Sequence, residues 1–315
     1  MMVFLLKRFA GFLVTVLAAT LVVFVVLEVL PGDPARVVLG VEAQPESIKA
    51  LRAEFGLDRP AAMRYLAWVG GLVRGDLGLS YTYRVPVAEL VGERLAVTVP
   101  LALISTCLSG ILALALGIYA AAHRGRPGDV GVMTVTQLGV AVPNFWFAIL
   151  LILLFAVYLG WLPSGGFPGW RAGLGPAVKS LLLPSLSLAV VQAAVLARIT
   201  RAAVIEILGE DFVRTARAKG NSRRRALWRH VLRNALIPVV TIMGLQFSAL
   251  LAGTIIIENV FYLPGLGRLV FQAITQHDLI VIKDVVLLLA VVVIAVNFAV
   301  DLLYLAIDPR LRSRA

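Results

Sequence analysis

Apolar residues dominate six stretches of this chain, and polar residues fall mostly between them: Phe9–Leu30, Val97–Ala122, Val132–Leu159, Leu181–Ala197, Leu236–Ile257 and Val285–Val300. The first is 22 residues long. At about 1.5 Å per residue, a helix of that length crosses a hydrocarbon core of ~30 Å. It is too long for the apolar region of a signal peptide and reads as an uncleaved first span. Pro143 lies inside the third stretch and predicts a kink, because proline removes an amide donor and clashes with the preceding turn. Between the first two stretches the pattern changes to helical amphipathicity, over Glu46–Phe55 and Ala61–Val73, with Leu57-Asp58-Arg59-Pro60 as the turn between them. The expected fold is all-α and polytopic. It has a first span over 1–30, a small helical extracytoplasmic region over 31–96, a five-helix core over 97–308 and a cytoplasmic tail over 309–315.

The segment Gly209–Pro238 breaks the apolar pattern most sharply. Asp211 is the expected N-cap of a short helix. Phe212, Val213 and Ala216 fall at i, i+1 and i+4, an apolar stripe flanked by Arg214, Arg217 and Lys219. Gly220 suits the left-handed position that ends a helix. Asn221-Ser222 offers a second start, followed by a basic helix over Arg223–Arg233. A basic loop of this kind can serve only to fix topology, or it can dock a partner.

Composition and charge agree with a membrane protein. The chain has 315 residues, 60% of them hydrophobic, and a mean hydropathy of +0.93, outside the range of soluble domains. A net charge of +11 would suggest nucleic acid in a soluble protein. Here its placement matters more. With both termini inside, the inner segments carry 17 Lys and Arg against six acids, and the outer segments 12 against eleven. Eight of the outer cations lie in the long first loop, where they weigh little on orientation. No nucleic-acid partner is expected; lipid is. The single cysteine, Cys107, excludes an intrachain disulfide and is expected to be a buried small hydrophobe.

Catalytic and metal-binding patterns are missing from the sequence. It has no GxxxxGK[ST], GxSxG or HExxH, and His123, His230 and His277 are far apart. No catalytic residue, metal site or cofactor on this chain is expected. Polar residues at membrane depth are costly and are functional candidates for that reason. Asn144, Gln192 and Gln246 are the candidates for a translocation pathway. The alternative for each is hydrogen bonding between helices, worth ~0.6 kcal/mol on average.

The segment DFVRTARAKG (211–220), followed by RNALIP (233–238), resembles the EAA loop of permease subunits of binding-protein-dependent ABC importers, in its oligopeptide/dipeptide/nickel branch. Gly220 matches that loop's glycine and Ala216 its second alanine. Arg214 and Thr215 replace the Glu and first Ala, and of the later Ile, Leu and Pro only Leu232 agrees. The runs Pro31-Gly32-Asp33-Pro34 and Gly75-Asp76-Leu77-Gly78-Leu79-Ser80 also resemble elements of this family. The resemblance implies a six-helix type I importer permease in a bacterial or archaeal cytoplasmic membrane, both termini inside. It implies a loop over 206–234 that couples to ATPase subunits through Asp211, Phe212, Val213, Arg214, Thr215, Ala216, Arg217, Lys219 and Gly220. The implied partners are a second, homologous permease, one or two kinds of ABC ATPase holding ATP and Mg, and an extracytoplasmic substrate-binding protein. Peptides are the implied cargo, with glutathione or a nickel chelate as alternatives. Two rival classes are disfavoured by the residues themselves. An ion-coupled secondary transporter needs ionisable groups at span centres, and an intramembrane enzyme needs clustered catalytic groups. Neither pattern is present.

Overall fold

The computed structural model describes residues 2–29, 34–39 and 43–307. The Pro31-Gly32-Asp33 part of the first family-like run, the Asp308-Pro309-Arg310 end of the last span and the 309–315 tail lie outside the described residues. The order is α1 (Met2–Val29), α2 (Pro34–Leu39), α3 (Pro45–Glu54), α4 (Ala61–Arg74), α5 (Val87–Ala122), α6 (Pro127–Ala141), α7 (Asn144–Leu151), α8 (Leu174–Leu208), α9 (Asp211–Ala218), α10 (Arg223–Ala226), α11 (Leu232–Val260), α12 (Leu266–Thr275) and α13 (Leu279–Ile307). Wider π-helical turns extend α7 over Ile152–Tyr158 and join α10 to α11 over Leu227–Val231. Among the described residues five helices are long and apolar enough to cross a membrane, or six if α6 and α7 form one broken span. That pair bends by 102°. The bend falls where Pro143 interrupts the backbone ladder, so the expected kink is closer to a right-angle turn.

Helices outrun the apolar stretches that announced them. The apolar run began at Val97, yet α5 starts at Val87 and carries Glu89, Glu93 and Arg94 in its leading turns. Cys107 corrects another expectation: it is exposed. A side chain facing lipid is as apolar as one facing the core, so an apolar neighbourhood does not tell the two apart.

The chain divides into two compact units. The first comprises residues 1–98 and 264–298. Its core joins Val87, Leu90 and Val91 of α5 to Leu266, Leu269 and Val270 of α12 and to Val281 and Val285 of α13. The α1 helix meets α4 through aromatic contacts of Phe24 with Tyr65 and Trp68 and a 2.8 Å hydrogen bond between the Thr20 and Tyr65 hydroxyls. The Gly75–Ser80 run closes this unit. Gly75 ends α4 in the left-handed conformation, Asp76 Oδ1 accepts the Gly78 amide at 2.9 Å, and Ser80 Oγ donates to Asp278 Oδ2 at 2.5 Å. Asp278 is fully buried; it also accepts the amides of Thr82 and Val281, so donors surround its charge. Beside it, burial and the Asp278 charge push the Tyr81 phenol up to about 12, against a smaller downward pull from Arg64.

The second unit, 99–263 and 299–314, is built on α8, which packs against α6, α7 and α11. Its long helices approach closely at small residues. A Cβ added at Gly117 of α5 would lie 2.6 Å from Thr200 Cβ and 2.7 Å from the Ala197 carbonyl oxygen. Because one of these is backbone, α8 itself would have to move. Gly117→Val is therefore expected to destabilise the detergent-solubilised protein by about 1–3 kcal/mol, read as a lower unfolding midpoint. Gly131→Ala, where open space surrounds the site, should leave the midpoint unchanged. Equal midpoints for the two variants would refute this packing.

Candidate functional site

The basic segment forms a helix, a turn and a second helix. The α9 helix begins after Glu210, which occupies the N-cap position without a side-chain cap bond. This corrects the assignment of Asp211 as the cap: Asp211 is the first helical residue, and its carboxylate receives Arg214 Nη1 at 3.3 Å. Both side chains are exposed, so water screens the pair and it adds little. Lys219 ends the helix and Gly220 follows at φ +90°, the left-handed position predicted for it. Asn221 then turns back on α9, its Nδ2 donating to the Ala216 carbonyl at 3.0 Å. Ser222 caps α10 by accepting the Arg225 amide at 3.3 Å. The second helix is not a separate piece. It runs through the π-helical turn at Leu227–Val231 directly into α11.

Packing divides the predicted apolar stripe. Val213 is 1% exposed and joins a cluster with Ala203 and Val204 of α8, Ala121 of α5, Ala226 of α10 and Val231 and Ala235 beyond it. Ala216 is also buried. Phe212 is 43% exposed. The expectation that all three would face a partner is therefore corrected: Val213 fastens α9 to its own unit, Ala216 is buried, and Phe212 is left outside. Around Phe212 the exposed side chains are Asp211, Arg214, Thr215, Arg217 and Lys219, continued by Arg223, Arg224, Arg225, Arg229 and Arg233. The surface is basic with one large apolar side chain in α9. A surface of that composition can orient an acidic partner, and Phe212 offers area to bury.

Two interactions missed in the sequence hold the platform beneath this segment. Arg201 of α8 forms a two-pronged pair with Asp129 of α6, Nε to Oδ1 at 2.5 Å and Nη2 to Oδ2 at 2.7 Å. The Asp129 carboxylate also accepts the Gly125 amide at 2.9 Å, which ties the 123–126 turn to the same point. Arg223 Nη2 reaches the Ala122 carbonyl at the end of α5, 3.3 Å away. The available signal was charge pairing: Asp129 is an acid at the start of an apolar stretch, and Arg201 a cation near the end of another.

Of the three pathway candidates, two meet each other. Gln192 Nε2 donates to the Gln246 carbonyl at 3.4 Å, and Gln246 Nε2 donates back to the Gln192 carbonyl at 3.3 Å. Their amides thus clasp α8 to α11, as interhelical bonding would have it. Asn144 is elsewhere, at the first position of α7 after Pro143. Its helix packs against both α8 and α11.

Comparisons with known proteins match this chain throughout. The profile of the family described as binding-protein-dependent transport system inner membrane component matches residues 113–313. A profile for the N-terminal part of binding-protein-dependent transport system membrane components matches residues 1–102. A Brucella abortus (strain 2308) protein, named as a permease of a peptide transport system, is 42% identical over 308 residues, covering 98% of each chain. The glutathione transport system permease of Escherichia coli (strain K12) is 42% identical over 314 residues, covering 100% of each. Among solved structures, one titled as an amino acid ABC transporter with histidines aligns with a TM-score of 0.50 at 16% identity, over 68% of this chain and 92% of that one. That similarity concerns the fold alone.

Substitution at the ion pair tests the platform. Asp129→Asn leaves the Arg201 guanidinium half-buried with a neutral partner, and Arg201→Met leaves the Asp129 carboxylate buried with the Gly125 amide but no cation. A double-mutant cycle on unfolding midpoints is expected to give a coupling of about 1 kcal/mol or more, and additivity would refute the pair.

Proposed function

We propose a function from one premise: this chain belongs to the family of binding-protein-dependent transport system inner membrane components. It is a multi-pass permease subunit of an ATP-driven importer for peptides, and it contributes part of the translocation pathway. The observation that carries the reading is the 42% identity, over essentially the full length of both chains, to a peptide transport system permease. Glutathione is the second reading, favoured by equal identity to a glutathione permease. Glutathione is itself a tripeptide, so the two readings share one cargo chemistry.

The mechanism is mechanical. ATP and Mg act on separate ATPase subunits, of one or two kinds. A binding protein delivers cargo from outside, and a second, homologous permease completes the pathway. The α9 helix docks on an ATPase through Phe212, with Arg214, Arg217 and Lys219 meeting acidic groove edges. Val213 transmits the displacement instead of receiving it, because it packs against α8, α10 and the start of α11. The Gln192–Gln246 clasp makes α8 and α11 tilt together, the rigid-body movement that alternating access requires. In this reading α6 and α7 form the sixth, broken span, the termini lie inside, and 31–96 lies outside.

Two measurements test this. Phe212→Ala removes exposed area and no core contact, so insertion and folding should be retained. In the reconstituted importer, cargo-stimulated ATP hydrolysis and uptake should both fall by about tenfold; wild-type uptake would overturn the docking assignment. For orientation, Arg225→Cys on a Cys107→Ala background should react with an impermeant maleimide only after the membrane is opened. Labelling of intact cells would reverse the topology.

A further inference from the structure

Within the first unit, outside the coupling region, lies a cavity of about 250 Å³. Glycine makes the space. Gly56 at φ +67° and Gly78 at φ +72° border it in conformations that favour glycine, and a Cβ at Gly71 would meet the Asp76 carbonyl oxygen at 2.9 Å. Phe55, Trp68 and Tyr81 contribute aromatic wall, and among the described residues Arg59, Arg64 and Lys283 line it with one acid, Asp76.

Among the described residues the nearby acids hold local donors, with one oxygen left over: Asp284 Oδ2 is buried without a hydrogen-bond partner. Asp76 Oδ1 takes the Gly78 amide, and Asp284, next to Lys283, takes the Trp68 indole N–H at 2.6 Å. Asp278, which acts electrostatically on Tyr81, is held by Ser80, Thr82 and Val281. Lys283 has an aromatic ring as its close neighbour: its Nζ stands 4.6 Å from the centre of the Trp68 ring. Phe55 is likewise taken, with Tyr81 stacked at 3.8 Å and Arg84 over its ring at 5.4 Å. Protein cations thus cover these aromatic faces, which leaves little for a cationic ligand. A lysine kept in a cavity wall at the start of an apolar span is costly unless it has a use.

We propose that this cavity binds a carboxylate carried by a small organic molecule, with Lys283 and Arg59 facing the charge and the aromatic walls covering the first carbons behind it. The volume lies below the ~300–1,000 Å³ of drug-sized sites, so it takes one end of a peptide and not the whole. This deepens the peptide reading and rests on it: most of the lining belongs to the 31–96 region, which that topology puts outside, where the free C-terminus of released cargo arrives.

Thermal unfolding of the purified full-length chain in phosphatidylcholine nanodiscs is the test, with Ala-Ala and its C-terminal amide as probes. The expected result is a saturable stabilisation by Ala-Ala, none by the amide, and affinity for Ala-Ala reduced about tenfold or more in Lys283→Gln. Arg59→Gln, at an exposed position, provides the same readout should Lys283→Gln fail to fold. Equal stabilisation by both probes, or unchanged affinity in a folded variant, would overturn the site. So would saturation by inorganic phosphate in competition with Ala-Ala, or loss of the Ala-Ala effect in discs containing phosphatidylglycerol, since either identifies a phosphate site. Binding is measured without transport, so failure of the importer reading would show separately, as absent uptake by a chain that still binds Ala-Ala.

Discussion

Val213 is the contact on which the second unit's arrangement turns. A short basic helix has no stability of its own in water, because a nucleus of one or two turns costs more than it returns. Burying Val213 against α8, α10 and the first turns of α11 gives α9 a fixed place. The same contact determines which side of α9 is left over: Phe212 and the row of cations. The outward chemistry of the segment is thus a consequence of the inward packing. Any force applied to the exposed side reaches the long helices through a few side chains of low exposure.

That route needs stiff neighbours. The Arg201–Asp129 pair and the Gly125 amide fix α6 and the 123–126 turn to α8 near its C-terminal end. Further along, Gly117 allows α5 to approach α8 closely, and the two glutamines tie α8 to α11. Small residues at close helix contacts and a few polar ties are the means by which helices hold together where lipid offers no hydrophobic gain. The π-helical turn at Leu227–Val231 sits at the junction between the basic segment and α11, where a wider turn rotates the following residues relative to those before it.

Much of this was readable beforehand, for identifiable reasons. Hydropathy located the spans because hydrocarbon admits only long apolar helices, and Gly220 and Ser222 announced their turn and cap because few residues fill those positions. What sequence could not supply was direction. Phe212, Val213 and Ala216 share a stripe, but on an eight-residue helix the stripe can face either way; only Ala203, Val204 and Val231, from other elements, decide it. Cys107 illustrates the same limit inside a span, where lipid and core ask for the same side chains. The start of α5 at Val87 was hidden for a different reason: hydropathy measures the length in lipid, and helices continue into water with Glu89, Glu93 and Arg94 on them.

Buried charge shows how different the two units are in what they conserve from solvent. In the second unit, Asp129 is neutralised by a guanidinium, an arrangement that holds helices in place and leaves no charge to spare. In the first, hydroxyl and amide donors hold Asp278, and the Trp68 indole holds one oxygen of Asp284 while the other is buried without a hydrogen-bond partner. Lys283 therefore rests on an aromatic ring while an acid stands next to it in sequence. Local donors thus take the place that a cation holds at Asp129, and the nearby lysine takes an aromatic face as its close neighbour.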